Sequence, residues 1–359
     1  MSELRDMIAE SVTRLFSEQI DRKVLDSTEA GQWPTTLWDM VEESGFHKLL
    51  VPEAQGGASG SWNDAYPILH AIGYYRVPLP LSETLVAGAL LSAAGLNVPE
   101  GPVTLLEQGI HNDLKLTLQG KRLSVSGTAK SVPWARFAKG IVISGRVGND
   151  SVLAYIASDA KGLSTQPSTS VSREPHDAVT FSDCSTDVVA RTAGKLIDQS
   201  VLVFGALARA IMMVGASESI LHQTVQYAND RIQFGKPIGK LQAIQQALAI
   251  LAGEVTSAQS AALAAVSPRA DANGQLSRFD IAVAKIRAGQ AAGQVAAISH
   301  QAHGAFGFTY EHTLQYATRR LWSWRAEFGA ESAWSRELGE LAIRGGGQKF
   351  WSNLTAGFA

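Results

Sequence analysis

The chain has 359 residues, 45% of them hydrophobic, enough for a large buried core divided into two or three domains. Its 31 basic and 33 acidic residues are interspersed and leave a formal net charge of −2, which excludes an electrostatic footprint for nucleic acid or an anionic membrane. The single Cys184 excludes an internal disulfide framework, the acidic N-terminus MSELRDMIAESV lacks a signal-type apolar core, and the longest apolar run, Val201 to Gly215, is interrupted by Arg209. These features predict a soluble, cytoplasmic protein with no membrane span.

In residues 1–97 the apolar positions recur at helical spacing, as in Met7, Val12, Leu15 and Phe16, then Leu37, Met40 and Val41. A helix stop is expected at Gly45, a glycine turn at Gly56-Gly57, and a break at Pro78 to Ser82 before a helix covering Leu85 to Leu96. In residues 98–190 the period changes to two: Leu114, Leu116 and Leu118 alternate with polar residues, as do Leu123 and Val125, and Ile141 and Ile143. A small antiparallel β domain is predicted there. The helical period returns over 191–359, which predicts a bundle of antiparallel helices. The fold class is thus mainly α with a middle β domain. Arg209 lies among apolar residues, where an unpaired charge is costly, so it is expected to have a partner or a ligand.

The most informative stretch is YANDRIQFGKPIGKLQAIQQ, Tyr227 to Gln246, where one helical pattern ends, breaks at Gly235-Lys236-Pro237, and a second begins at Leu241. Arg231 offers a planar fork of donors suited to a pyrophosphate, Phe234 an aromatic face, and Gly235 close backbone approach. By spacing alone the same residues describe a helix end packed on a neighbour, and GKPIGK lacks the GxxxxGK[ST] spacing of a phosphate loop. The wording is more specific. Arg231, Gln233, Phe234 and Gly235, followed by Gln242, Ile244 and Gln245, resemble the signature of the acyl-CoA dehydrogenase family of flavoenzymes. That resemblance implies an N-terminal helical domain, a middle β domain and a C-terminal helical bundle. It also implies that this corner crosses a dimer interface to hold the adenosine diphosphate half of an FAD bound mainly by a neighbouring subunit.

A second stretch, Gln301 to Phe308, resembles the family's Q-x-x-G-G-x-G-[YF], which also contacts a neighbour's adenosine, so Gln301 and Gly304 join Arg231, Gln233 and Phe234 as cofactor-binding residues. His300 and His303 stand at i, i+3 with no acidic or Cys ligand beside them, and no metal site is expected. Other family features are missing. VTLLEQGIHND (103–113) lacks the hydroxyl donors for the flavin, Pro133 and Trp134 fall near positions that usually touch the ring, and Ala206 and Gly205 stand where an Arg and, in some members, a Glu are usual. Phe328 occupies the place of the Glu that removes the α proton of the thioester. Glu327 is a weak candidate base, rotated by about 100° from Phe328 if both lie on a helix; Glu331 is another, and a solvated or ion-paired surface carboxylate is the ordinary role for both.

The resemblance therefore implies a non-catalytic subunit that pairs with a related catalytic acyl-CoA dehydrogenase subunit in an α2β2 heterotetramer, as in the enzymes of bacterial steroid catabolism. FAD would be shared across the subunit interface, the substrate an acyl-CoA, and the electron acceptor an electron-transfer flavoprotein-like protein. Two other readings are a self-sufficient homo-oligomer with a relocated base and a redox-silent binding or scaffolding homologue.

Overall fold

The computed structural model describes residues 3–110, 112–267, 275–349 and 351. Helices come first: α1 (Glu3–Gln19), α2 (Arg22–Glu29), α3 (Thr35–Ser44), α4 (Trp62–Tyr75) and α5 (Leu81–Ala93). Asp21 starts α2 by accepting the Val24 N–H at 2.8 Å, a side-chain oxygen satisfying one of the donors that a helix start leaves open. The helix expected to reach Leu96 ends at Ala93; Leu96 instead donates its N–H back to the Leu91 carbonyl in the terminating turn.

Strands follow: β1 (Val103–Glu107), β2 (Lys115–Gln119), β3 (Arg122–Pro133), β4 (Gly140–Val147), β5 (Asp150–Ala157), β6 (Leu163–Gln166), β7 (His176–Thr186) and β8 (Val189–Arg191). They form two four-stranded sheets, ordered β1-β4-β5-β8 and β2-β3-β7-β6. The alternating residues Leu123, Val125, Ile141 and Ile143 face a common core with Val179, Phe181 and Cys184. Burial pushes the Cys184 thiol pKa up, so the residue behaves as a small core hydrophobe. The strand pairs are antiparallel as expected, with one exception in these two sheets: β1 pairs with β4 in parallel, Val103 opposite Gly140 through Glu107 opposite Ser144. Alternation within a strand reports its two faces and carries no sign of the direction of a partner far away in sequence.

The remaining helices are α6 (Ser200–Asp230), α7 (Gln242–Ala265), α8 (Arg278–His303), α9 (Leu314–Ala326) and α10 (Glu331–Gly345), with a two-strand ribbon, β9 (Ile232–Gln233) and β10 (Lys236–Pro237), between α6 and α7. Both α6 and α7 are long and apolar enough to cross a membrane by length and composition, Arg209 notwithstanding. The apolar window of α6 is wholly buried within the fold, that of α7 only 22%.

The chain divides into two compact units, Met1–Ile68 with Val77–Ala208, and Leu69–Arg76 with Arg209–Ala359. In the second unit the end of α4 crosses α6 at two glycines. A Cβ on Gly73 would lie 1.8 Å from the Met212 carbonyl oxygen, and one on Gly215 would lie 2.0 Å from that of His70. The backbones touch, and neither position has room for a methyl group.

Candidate functional site

The corner after α6 is a β-hairpin. Gln233 pairs with Lys236 and Ile232 with Pro237, and the two residues between, Phe234 and Gly235, both have left-handed φ, 53° and 75°. Positive φ at both central residues is what a type I′ hairpin turn requires, and glycine supplies it freely where phenylalanine does not. The Ile238 N–H donates to the Arg231 carbonyl at 2.8 Å and closes the base of the hairpin. Arg231, Gln233 and Phe234 are exposed, Phe234 at 90%. Among the described residues, no side chain bonds to the Arg231 guanidinium.

At the end of α8, Gly304 leaves the helix with φ 61° and a short 3-10 turn runs to Phe308. Gln301 and Gly304 line an open groove of about 460 Å³ together with Ala297, His300, Phe308 and Trp322. His300 shares a hydrogen bond with Thr318 Oγ1 at 3.0 Å and stacks on Phe308, ring centroids 4.1 Å apart. His303 uses Nδ1 on the Ser299 carbonyl and stacks on Tyr227 at 4.3 Å, and burial lowers the pKa of both imidazoles. The Tyr227–His303 stack joins the last turn of α6 to the last turn of α8, so the two sequence signatures stand at neighbouring helix ends.

Glu327 is the C-cap of α9, outside the helix; Phe328 and Gly329 follow with φ 51° and 89°. The helical rotation expected between Glu327 and Phe328 therefore does not apply. Glu327 is also no surface carboxylate. Arg209 Nε donates to its Oε2 at 2.7 Å, with side chains 3% and 13% exposed, and Ser323 Oγ donates to its Oε1 at 3.0 Å. The same guanidinium lies 5.4 Å from the centre of the Phe328 ring. Glu331, at the start of α10, is ion-paired with Arg325. Each carboxylate near the base position is thus held by an arginine.

In the first unit, Glu107 ends β1 buried, where flavin hydroxyl donors would be expected. Its Oε2 accepts the Ser144 hydroxyl and, at 3.0 Å, the Leu202 N–H in the first turn of α6. The chain's own carboxylate satisfies that helix start. The adjoining cavity, about 600 Å³, is lined by Glu107, Gln108, Asp113, Arg146 and Asp198, a set with more acceptors than cationic donors. Trp134 is buried with φ 57° and donates its N–H to the Pro175 carbonyl. These groups do not fit an anionic or hydroxyl-seeking ring system, whereas the exposed hairpin and groove of the second unit present a guanidinium fork and aromatic faces.

Residues 193–332 match the acyl-CoA dehydrogenase C-terminal domain and residues 2–95 match the N-terminal domain. The chain belongs to the acyl-CoA dehydrogenase family. It is 28% identical over 325 residues to the acyl-CoA dehydrogenase IpdE2 of Mycolicibacterium smegmatis, covering 89% of this chain and 93% of that protein. The fold is shared with a steroid ACAD, Tcur3481-Tcur3483 (TM-score 0.85, 23% identity, 95% and 98% of the two chains). It is shared too with a chain of the ChsE4-ChsE5 complex from Mycobacterium tuberculosis (TM-score 0.82, 18% identity, 95% and 97%). As an acyl-CoA dehydrogenase family member it falls among FAD-dependent oxidoreductases that act on acyl-CoA.

One residue of this acyl-CoA dehydrogenase that periodicity did not flag is Lys285, fully buried in α8. Its Nζ donates to the carbonyls of Arg325 and Gly329, both at 2.8 Å, and Trp334 Nε1 donates to that of Phe328 at 3.0 Å. The turn at the base position is pinned on both sides of Phe328. Burial lowers the lysine pKa to about 7, against the opposing pull of Glu331 and Glu327. A neutral amine still has two hydrogens for these two carbonyls. Between about 7 and the ordinary 10.5 the unfolded chain binds a proton that the folded chain has released, so this group makes stability rise with pH over that window. Urea midpoints at pH 6.5 and 9 should show a larger alkaline gain for the wild type than for Lys285→Met; equal gains would mean that the lysine does not titrate there.

Proposed function

We propose that this chain is a subunit of a heteromeric FAD-dependent acyl-CoA dehydrogenase. In this reading it supplies Arg231, Gln233, Phe234, Gln301 and Gly304 to the ADP half of a flavin shared with a related catalytic subunit in an α2β2 tetramer. The observation that carries it is a contrast. The hairpin holding Arg231 and Phe234 is exposed, with no side chain among the described residues bonded to that guanidinium, whereas Phe328 stands at the base position and Glu327 is tied to Arg209. A phenyl ring cannot accept a proton, and a carboxylate already charge-paired is a weakened base. FAD, when bound, accepts the hydride from Cβ of the acyl group. The names carried by its structural neighbours, a steroid ACAD and a two-component complex, support a steroid-derived acyl-CoA and a second subunit. An electron-transfer flavoprotein-like acceptor and a cytoplasmic location complete the proposal.

The test is to purify the chain alone and after co-expression with a related dehydrogenase subunit whose base is intact, then count flavin by visible absorbance. The expected result is a colourless single chain and a yellow complex with one FAD per heterodimer. Arg231→Ala in this chain should weaken FAD retention by the complex roughly 10–100-fold, the worth of one charge-assisted contact. A lone chain that holds stoichiometric flavin and bleaches anaerobically with an acyl-CoA would establish the self-sufficient homo-oligomer instead.

A further inference from the structure

His300, His303 and His312 stand together where α8 ends and α9 begins, and the proposed grip on a cofactor makes no use of their ability to take a proton. His303 stacks on Tyr227 and lies edge-on to His312, ring centroids 4.7 Å apart; His312 is also edge-on to Phe306 at 5.1 Å, and His300 covers Phe308. The hydrogen bonds fix which nitrogen of each ring holds the hydrogen. The Ser299 carbonyl can only accept, so His303 Nδ1 carries the hydrogen and Nε2 is a bare lone pair, sealed from solvent with no partner among the described residues. Thr318 Oγ1 donates to the Gln315 carbonyl at 3.5 Å and accepts from His300 Nε2, which leaves Nδ1 of that ring bare and sealed as well. His312 Nδ1 accepts the Leu314 N–H at 3.0 Å in the first turn of α9.

A proton added to any of these rings finds no acceptor. On His300 and His303 it makes a buried N–H with nothing to bond, and on His312 it sets a second donor against the Leu314 N–H. A charged imidazole gains a little from the face of Tyr227, but less than a sealed N–H loses. The titratable groups around the cluster are Tyr227 from α6, the exposed Glu311 beside His312, and Arg319 next to Thr318 on α9. Among the described residues, none of them bonds to or pairs with an imidazole nitrogen, so no carboxylate offsets the added charge. We propose that these three histidines form an acid-sensitive latch: protonated together, they repel one another and release the start of α9 and the Tyr227 stack that joins the hairpin to the groove. Burial lowers the pKa of all three, and the mutual repulsion of the rings lowers those of His300 and His312 further. The folded chain thus holds fewer protons than the unfolded one, so this stability is fully present above the ordinary 6.5 and is lost as pH falls from there toward the lowered values. The latch rests on the heteromer reading only for what the corner lets go, the ADP half of the shared FAD.

The experiment measures urea midpoints and amide hydrogen exchange of the full purified chain at pH 7.0 and 5.5, an interval below the one in which Lys285 titrates. A histidine kept neutral by the fold lowers the folding constant by roughly 10-fold over that interval, and three together by up to about 1,000-fold. The wild type should show most of this loss. His303→Phe keeps the stack on Tyr227, and His312→Asn keeps an oxygen for the Leu314 N–H; the double variant should lose roughly 10-fold or less, the share of His300. In the wild type, amides of the hairpin and of the first turn of α9 should lose protection at pH 5.5 ahead of those in the two β-sheets, after the pH dependence of the exchange chemistry is subtracted. That measurement stands even where the variant does not fold. A double variant as acid-sensitive as the wild type, or protection lost evenly along the chain, would overturn the latch. Because neither flavin nor a partner subunit is present, the outcome is independent of whether the heteromer proposal survives.

Discussion

Replacing Arg209 by methionine is expected to lower the free energy of unfolding by about 3–5 kcal/mol, because it removes the cation paired with a charged, nearly buried Glu327. The reverse change, Glu327→Gln, removes the carboxylate paired with the guanidinium, which also contacts the Met212 sulfur at 3.3 Å and lies over the face of Phe328. The double variant Arg209→Met with Glu327→Gln removes both charges and should recover most of the loss, since apolar or neutral replacements of a buried pair are often near neutral. Urea denaturation of the four proteins closes the cycle. A coupling energy near zero would mean that the pair is solvated, and Glu327 would return as a usable base.

The second large effect is expected at the helix crossing. Gly215→Ala puts a methyl group about where the His70 carbonyl oxygen lies, 2.0 Å from an ideal Cβ, and the obstacle is backbone, which cannot rotate aside. Separating α4 from α6 should cost about 3 kcal/mol or more, at or beyond the usual range for overpacking. Gly253→Ala provides the contrast. It lies within α7 with nothing inside 4 Å, so the same substitution should be neutral or stabilising by up to about 1 kcal/mol through helix propensity. Thermal unfolding of both variants decides the matter; a harmless Gly215→Ala would mean that the two helices are not in backbone contact.

Much of the architecture was legible because periodicity is a local property. Leu123 with Val125 and Ile141 with Ile143 announce strands with one face in a core, and the run from Val201 announces a core helix. The partner of Arg209 was legible as a need but not as an identity, because Glu327 lies 118 residues away. The parallel β1–β4 pair was hidden for the same reason. At the site, the wording around Arg231 marked the corner, but a hairpin with phenylalanine at positive φ defies the usual Asn-Gly signal. The end of α9 was misjudged similarly: Phe328 takes a left-handed φ that only the following Gly329 hinted at. Lys285 could not be singled out, since a cation on a helix looks the same in sequence whether it faces water or the interior.

The poorly covered α7 has a bearing on how the polypeptide has to be made. A long helix that is mostly uncovered in the isolated chain, with small and polar residues and Ile250 on its open face, is available to a partner surface, its own copies included. Made together with whatever sheathes that helix, the polypeptide should stay dispersed at any concentration, whereas by itself it should self-associate as its concentration rises.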